Sequence, residues 1–244
     1  MAVIRVEGLS KRYGAVTAVA GISFTVAAGE IVALLGGNGA GKTTTLAMLL
    51  GLVLPSAGRI EILGNDMARD RFAALARMNF ASPYVALPAR LSVAENLRVY
   101  GHLYGVAGLE RRIRDLAGEL DLLAVLDRPA GTLSSGQKTR LALAKALINR
   151  PSVLLLDEPT ASLDPDTADR LRAWLAAYRA ASGCAILLAS HNMAEVERLA
   201  DQVLILRRGA IIARGNPAAL RREFGHETLE AVFLAIARGE RREA

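Results

Sequence analysis

The chain has 244 residues, of which 52% are hydrophobic, 22% charged and 5% aromatic. This composition is typical of a globular protein with an aliphatic core, and it excludes a disordered chain. The formal net charge of +6 comes from 30 basic and 24 acidic residues, a modest excess that we interpret as solvated surface.

The apolar runs of the chain, such as "LAMLLGLVL" and "SVLLL", are shorter than the roughly 18 to 20 residues that a membrane-spanning helix needs. The start, "MAVIRVEGLSKRYG", lacks the charged-then-apolar order of a signal peptide. Cys184 is the single cysteine and has no partner for an internal disulfide. We therefore expect a cytoplasmic, reducing location.

The first elements in chain order are strands. Residues 1–35 contain "AVIRVEGL" and "GISFTVAAGEIVALL", with turn signals at Tyr13-Gly14 and Ala28-Gly29.

From about residue 86 to residue 149 the pattern is mostly helical. In "ERRIRDLAGELDLLAVL" the apolar residues at helical spacing are Ile113, Leu116, Leu120 and Leu123.

After Pro151 the chain alternates between strands and helices. "SVLLLDEP" and "CAILLASH" fit strands buried on both faces of a parallel sheet, separated by a helix that begins near Asp166. This pattern predicts an α/β fold in which the helical middle is inserted. The tail then carries a hairpin signal, "VLILRRGAIIARG", and a helix that we expect to dock on its own domain through one stripe: Leu229, Val232, Phe233 and Ile236.

A glycine-rich loop follows the apolar run "IVALL" and opens a helix, which is the context that a phosphate-binding loop requires. Its glycines let backbone N–H groups of residues 38–42 turn toward phosphates, Lys42 reaches phosphate oxygens, and the Thr43 hydroxyl can bind Mg²⁺. The residues expected at the nucleotide are Gly36, Gly37, Asn38, Gly39, Ala40, Gly41, Lys42, Thr43 and Thr44.

Two adjacent carboxylates, Asp157 and Glu158, end the predicted strand in "SVLLLDEP". Ligands of open α/β sheets bind at the carboxyl ends of the strands. Asp157 is predicted to orient the Mg²⁺ shell, and Glu158 is predicted to act as general base toward a water in line with the γ-phosphate.

With these motifs, the chain resembles the nucleotide-binding subunit of an ATP-binding-cassette (ABC) transporter along nearly its whole length. His191 in "ASHN" resembles the family's switch histidine, and Tyr13 in "KRYG" its adenine-stacking aromatic. Ser162 and Asp164 in "SLD" resemble the loop that communicates across the dimer. "LSSGQ" resembles the signature loop, with serine in its third position, where glycine is usual: Leu133, Ser134, Ser135, Gly136 and Gln137.

The resemblance implies the ABC ATPase fold: a P-loop NTPase core with a mostly parallel sheet, an N-terminal antiparallel β portion and an inserted helical subdomain. It implies a single domain over residues 1–244. The expected parts are a catalytic core at 1–85 and 150–225, a helical subdomain at about 86–149, and a C-terminal helix and tail at 226–244.

The resemblance also implies an ATP-hydrolysing transport motor that uses ATP and Mg²⁺. Two chains would face each other head to tail, so that Ser134, the Gly136 N–H and a helix starting near Gln137 close on the γ-phosphate held by the partner. We expect two identical chains, because this one carries both half-sites. The resemblance further implies a separate multi-helix permease, a peripheral location on the cytoplasmic face of the cell membrane, and no specific nucleic acid.

Export is the expected direction, because the chain ends soon after the hairpin and "LEAVFL" resembles the tails of exporter-type subunits. One family residue is missing: the sequence has no glutamine between Thr43 and Gly136. Pro83 falls at the position of the family's glutamine, so the Ser82 hydroxyl or a water must fill that place near the Mg²⁺. Hydrolysis by the isolated subunit is therefore expected to be slow.

Two other functions stay open from the sequence. A soluble ABC ATPase acting on ribosomes or nucleic acid usually has two cassettes or a long coiled-coil insertion, and this chain has neither. A partner that binds ATP but scarcely hydrolyses it would fit Ser135 and the missing glutamine, whereas Glu158 and His191 argue against it.

Overall fold

The computed structural model describes residues 1–238, with side chains as far as residue 236; residues 239–244 of the predicted tail lie outside this part. Two sheets and the helices around them make up the described chain. Its strands are β1 (Ala2–Tyr13), β2 (Val16–Ala27), β3 (Ile31–Leu35), β4 (Ala57–Ile62), β5 (Asn65–Asp66), β6 (Met78–Ala81), β7 (Val153–Asp157), β8 (Ala185–Ser190), β9 (Gln202–Arg207) and β10 (Ala210–Gly215).

The α-helices of residues 1–238 alternate with the later strands and fill the segment between β6 and β7. They are α1 (Lys42–Leu49), α2 (Arg71–Leu75), α3 (Val93–Leu103), α4 (Leu109–Glu119), α5 (Ser135–Leu147), α6 (Pro165–Ser182), α7 (Met193–Leu199), α8 (Pro217–Glu223) and α9 (Leu229–Arg238). Within this stretch, none of the helices has the length and apolarity to cross a bilayer.

The N-terminal sheet is antiparallel, in the order β2-β1-β4-β5. In β1, Ile4 and Val6 are buried while Arg5 and Glu7 are exposed, and a register shift between Val6 and Leu9 then returns Leu9 to the buried face. Gly14 turns β1 into β2 with a φ of 58°, a conformation that glycine adopts without strain. The predicted antiparallel β portion is confirmed.

The second sheet runs in the order β10-β9-β3-β8-β7-β6, and its strands from β9 to β6 are parallel. Every residue of β3, β7 and β8 is buried, because these aliphatic runs are covered on both faces. The carboxyl ends of these strands therefore meet at one edge of the sheet, which is where the predicted phosphate loop, carboxylates and histidine follow.

The apolar pattern predicted for α4 holds for Ile113, Leu116 and Leu120, which are buried, but is wrong for Leu123, which is 56% exposed. The helix ends at Glu119 and Asp121 has a φ of 55°. This left-handed residue breaks the helical spacing, so the side chain that enters the core is Leu122 instead.

The last elements behave as the sequence predicts. Arg208-Gly209, with φ values of 48° and 80°, forms the tight turn between β9 and β10. Leu229 and Val232 of α9 are fully buried, Ile236 is 9% exposed and Phe233 packs beside them. The stripe thus docks on the chain's own core.

Lys145 joins the helical segment to the sheet. Its Nζ donates a hydrogen bond to the Phe80 carbonyl at 2.8 Å and lies 5.3 Å from the centroid of the Tyr100 ring. Burial lowers the pKa of Lys145 to about 8. Because the unfolded chain keeps the ordinary lysine pKa, the unfolded state binds more protons between these two values, and stability rises with pH across that window.

We predict that Lys145→Met abolishes this contribution to the pH dependence. Relative to the variant, the wild-type free energy of unfolding should rise by about 1 to 3 kcal/mol between pH 7 and pH 10. Urea denaturation of both proteins across that range measures the difference, since all other groups are shared. Parallel stability curves would show that Lys145 is charged in both states throughout.

Candidate active site

The loop between β3 and α1 requires its glycines for steric reasons. A Cβ on Gly36 would lie 2.7 Å from the Leu206 carbonyl oxygen, and one on Gly41 would lie 2.6 Å from the Ala18 carbonyl oxygen. Gly41 also has a φ of 105°, which side-chain-bearing residues rarely adopt. Strands β9 and β2 therefore pack against the loop at Gly36 and Gly41, while residues 37–39 stay exposed.

Lys42 is held inside this loop. It is only 7% exposed, and its Nζ donates to the carbonyls of Gly36 at 2.5 Å and Gly37 at 3.4 Å. Burial lowers the pKa of Lys42, against the opposing effect of the carboxylates Glu158 and Asp157. A cation enclosed by a loop with exposed backbone N–H groups is a site for phosphate oxygens.

The three threonines after Lys42 divide into two roles. Thr45 is buried, and its hydroxyl donates to the Gly41 carbonyl at 2.8 Å within the helix. Thr43 is exposed and Thr44 half-buried. The hydroxyls of Thr43 and Thr44 therefore stay accessible, whereas that of Thr45 is used within the helix.

Asp157 closes β7 beside Ala189 of β8 and is 6% exposed. Burial, with the charge of Glu158, raises the pKa of Asp157, while Lys42 acts the other way. The Asp157 carboxylate at the end of β7 and the exposed Thr43 hydroxyl after β3 offer the oxygen ligands that Mg²⁺ prefers. The residues present therefore fit a magnesium ion whose charge would offset that of the two carboxylates.

Glu158 contacts His191 directly, with 2.6 Å between Glu158 Oε1 and His191 Nδ1. The two residues follow neighbouring strands, and the Glu158 N–H donates to the Ala189 carbonyl at 2.8 Å. Glu158 has a φ of 51°, a strained conformation of the kind that clusters at functional sites. It is 8% exposed, whereas the His191 side chain is 59% exposed and can reach a second partner.

Sequence reasoning missed two polar residues behind this pair. Ser190 is fully buried, and its Oγ lies 3.4 Å from Glu158 Oε2 and 2.7 Å from Glu195 Oε2. Glu195 is 1% exposed. The only sequence signal is Glu195 three residues after Asn192, a spacing that also predicts an ordinary helix start and says nothing of burial.

Ser82 follows β6 directly and is 4% exposed. Because Ala81 pairs with Leu156, the parallel register brings Ser82 level with Asp157. The Ser82 hydroxyl accepts a hydrogen bond from the Tyr84 N–H at 3.3 Å and retains its own hydrogen and a lone pair. Pro83 is half-buried beside it.

The loop that resembles the family signature, residues 133–137, leads into α5 and is called the signature-like loop below. Ser134 and Gln137 form a reciprocal cap: the Gln137 N–H donates to Ser134 Oγ at 3.2 Å, and the Ser134 N–H donates to Gln137 Oε1 at 3.0 Å. The helix therefore starts at Ser135, two residues before the expected Gln137. Leu133 is buried as an anchor, while Ser134 and Ser135 are exposed at the positive end of the helix.

Ser135, where the resemblance leads us to expect glycine, makes a contact that a glycine could not make. Its hydroxyl donates to the Ser162 carbonyl at 3.4 Å, and Gly136 packs closely enough that a Cβ there would lie 3.4 Å from Leu163. Asp164 accepts the Thr167 N–H at 3.0 Å and caps α6. The signature-like loop and the "SLD" loop are thus packed together within one chain.

Tyr13 ends β1 opposite Val16, at the tip of the hairpin whose second strand presses Ala18 against Gly41. Its ring is half-exposed, with Lys11 Nζ 5.0 Å from the ring centroid. The half-exposed ring leaves aromatic surface for stacking.

The fold therefore assembles the predicted residues in two groups. The phosphate loop, Asp157, Glu158 and His191 share one sheet edge. The signature-like and "SLD" loops form the other group, and within residues 1–238 no hydrogen bond links the signature-like loop to the phosphate loop.

Comparisons with known proteins agree with this geometry. A family model described as "ABC transporter" matches residues 19–161. The Nod factor export ATP-binding protein I of Ralstonia nicotianae is 40% identical over 235 residues, which cover 93% of this chain and 72% of that protein. A daunorubicin resistance ATP-binding protein of Streptomyces coeruleorubidus is 35% identical, covering 94% and 73%.

Solved structures show the same fold. An ATP-binding subunit of an ABC transporter superposes with a TM-score of 0.88 at 31% identity, covering 96% of this chain and 99% of that one. The cbiO1 protein from Clostridium perfringens, part of the ABC transporter complex cbiONQ, gives 0.80 at 28% identity, covering 98% and 97%. This chain belongs to the ABC transporter family, as an ATP-binding subunit that hydrolyses ATP.

Proposed function

We propose that the chain is the motor of an ABC exporter and works as a head-to-tail dimer of two identical chains on the cytoplasmic face of the cell membrane. The observation that carries the proposal is the separation of its two phosphate-facing parts. Lys42 and Glu158 lie at the sheet edge, whereas the exposed start of α5 packs on the "SLD" loop. One chain supplies both halves of a site that two chains complete.

Each residue at the sheet edge has a part in the hydrolysis. Lys42 and the backbone N–H groups of residues 38–42 bind the phosphates, and Tyr13 stacks on the base. Glu158 accepts a proton from the attacking water, a role that typically contributes roughly 10²- to 10⁴-fold. His191 holds Glu158 through Nδ1 and turns its remaining ring nitrogen toward the γ-phosphate.

Thr43 and Asp157 are the proposed ligands of Mg²⁺, with Ser82 or a water at the place of the family's glutamine. A bound magnesium ion would neutralise phosphate charge during phosphoryl transfer. Pro83 has no hydrogen-bonding side-chain group. Contact with a permease therefore cannot affect the Mg²⁺ site through a side-chain amide at this position. This supports slow hydrolysis by the isolated subunit.

The signature-like loop supplies the other half of the site. The Ser134 hydroxyl, the Gly136 N–H and the positive end of α5 would face the γ-phosphate held by the partner chain. The Ser162 carbonyl accepts a hydrogen bond from this loop, and we propose that Ser162 and Asp164 communicate its state across the dimer. Loss of the γ-phosphate removes the charge that holds the loop.

The direction and the permease are proposed from the relatives. Proteins named for Nod factor export and daunorubicin resistance match more than nine-tenths of the chain, which favours export through a separate multi-helix membrane protein. The same relatives give no support to a ribosome- or nucleic-acid-directed ATPase.

We predict that Glu158→Gln lowers ATP turnover by about 10²-fold or more, because an amide cannot accept the proton from water. ATP binding persists, so the variant should accumulate as a dimer in ATP and return to monomer in ADP. Phosphate release and sedimentation measure the two effects. Retained turnover would remove Glu158 from the role of general base.

The same variant serves as bait for the permease. Tagged Glu158→Gln protein, purified from gently solubilised native membranes with ATP present, should bring a stoichiometric multi-helix protein that mass spectrometry identifies. The matched control is the same purification in ADP, which should yield less of that protein. Recovery from the soluble fraction with ribosomal proteins or nucleic acid would overturn the transporter motor.

A further inference from the structure

The segment from Ser190 to Glu195 contacts both oxygens of the Glu158 carboxylate. His191 Nδ1 lies 2.6 Å from Oε1, and Ser190 Oγ lies 3.4 Å from Oε2. Two contacts on the two oxygens fix the plane of the carboxylate, whereas one would leave it free to rotate. The second contact depends on where the Ser190 hydroxyl is held.

Ser190 has a single hydroxyl hydrogen, so it can donate to Glu158 only if Glu195 is the donor in its own contact with Ser190. Glu195 Oε2 lies 2.7 Å from Ser190 Oγ, the shorter of the two contacts of Ser190 with carboxyl groups. The oxygen of Ser190 also accepts the Asn192 N–H at 3.0 Å. Serine has three staggered rotamers, and these two bonds select one of them.

The local fold explains how a helical residue reaches the strand end. Asn192 caps α7 by accepting the Glu195 N–H at 3.1 Å. Because of this cap, α7 begins directly after the loop residue Asn192. Glu195, in the first turn of α7, therefore lies in contact with Ser190. Burial raises the pKa of Glu195, and the hydroxyls of Ser190 and Thr160 oppose that rise.

The burial of Glu195 is not needed for an apolar core. Carboxyl groups are almost never fully buried unless they are paired, and burial raises the pKa of Glu195. The neighbour Val196 is fully buried in a separate apolar cluster with Ala33 and Val203. The helix therefore packs through Val196, while Glu195 points at polar groups around the reacting centre.

We propose that Glu195 is a positioning residue for Glu158 and acts on it through the Ser190 hydroxyl. The proposal rests on Glu158 being the general base. Glu195 transfers no proton and touches neither ATP nor water. It keeps the Glu158 carboxylate in the plane from which a lone pair faces the attacking water.

The first test replaces the carboxyl group with an apolar side chain of similar length. Glu195→Met should lower kcat about tenfold or more, since small displacements of reacting groups carry large rate losses, while KM for ATP stays within about twofold. Glu195→Gln keeps groups that hydrogen-bond Ser190 and should stay within about threefold of the wild-type kcat. Basal phosphate release by the full purified chain, at high protein concentration, measures all three proteins.

The second test separates positioning from general destabilisation. Ser190→Ala should reproduce the kcat loss of Glu195→Met, and the double variant should lose no more than either single variant, because both act through one contact. Val196→Ala is the matched control on the same helix. It should lower the melting temperature and leave kcat unchanged.

The outcomes distinguish this proposal from the proposed function. If Glu158→Gln abolishes turnover while Glu195→Met or Ser190→Ala leaves kcat unchanged, the positioning role is wrong and the base assignment stands. Losses that multiply in the double variant also overturn it, as does an equal kcat loss in Val196→Ala. If Glu158→Gln itself retains turnover, the proposed function fails first, whatever the other variants do.

Discussion

One electrostatic arrangement governs the site: a lysine and two carboxylates are enclosed at the same edge of the parallel sheet, where the two strands that flank β8 end. Lys42 lies in the loop after β3, and Asp157 and Glu158 lie at the end of β7. Each group is nine-tenths buried or more, and unpaired charges in such surroundings are costly. Their mutual attraction and the hydrogen bonds of the loop offset part of that cost. The negative charge of Asp157 and Glu158 together exceeds the positive charge of Lys42, which favours binding of a further cation. The backbone N–H groups of the loop favour binding of phosphate.

A second constraint concerns helix α5 and the signature-like loop before it. The start of α5 carries its own complete cap, so the fold leaves Ser134 and Ser135 exposed without leaving the helix end unsatisfied. Lys145, on the same helix, bonds the end of β6 just before Ser82 and Pro83. Helix α5 thus connects the signature-like loop to the segment that contains Ser82 and Pro83.

The sequence predicts the strands, the hairpin and the phosphate loop well because each depends on local chemistry: aliphatic runs, glycine turns and motif spacing. Leu123 shows where such reasoning fails, since the left-handed Asp121 that moves Leu122 into the core carries no sequence signal. Glu195 is the other case. The sequence around Glu195 does not indicate its burial, because the carboxyl is enclosed only when α7 packs back on Ser190 at the end of β8. The roles proposed for the site residues remain predictions.

The claim that each ATP site is shared between two chains is tested most directly by mixing two defective proteins. Lys42→Ala removes the phosphate-binding cation. Ser134→Glu places a negative charge where the partner's γ-phosphate would lie. An acidic residue is favourable at the start of a helix, so this variant should keep α5 folded. We predict that each protein alone is inactive and that an equal mixture recovers up to about a quarter of the wild-type rate, since half of random dimers are mixed and hold one intact site. Full activity of Ser134→Glu alone, or no recovery on mixing, would contradict the account.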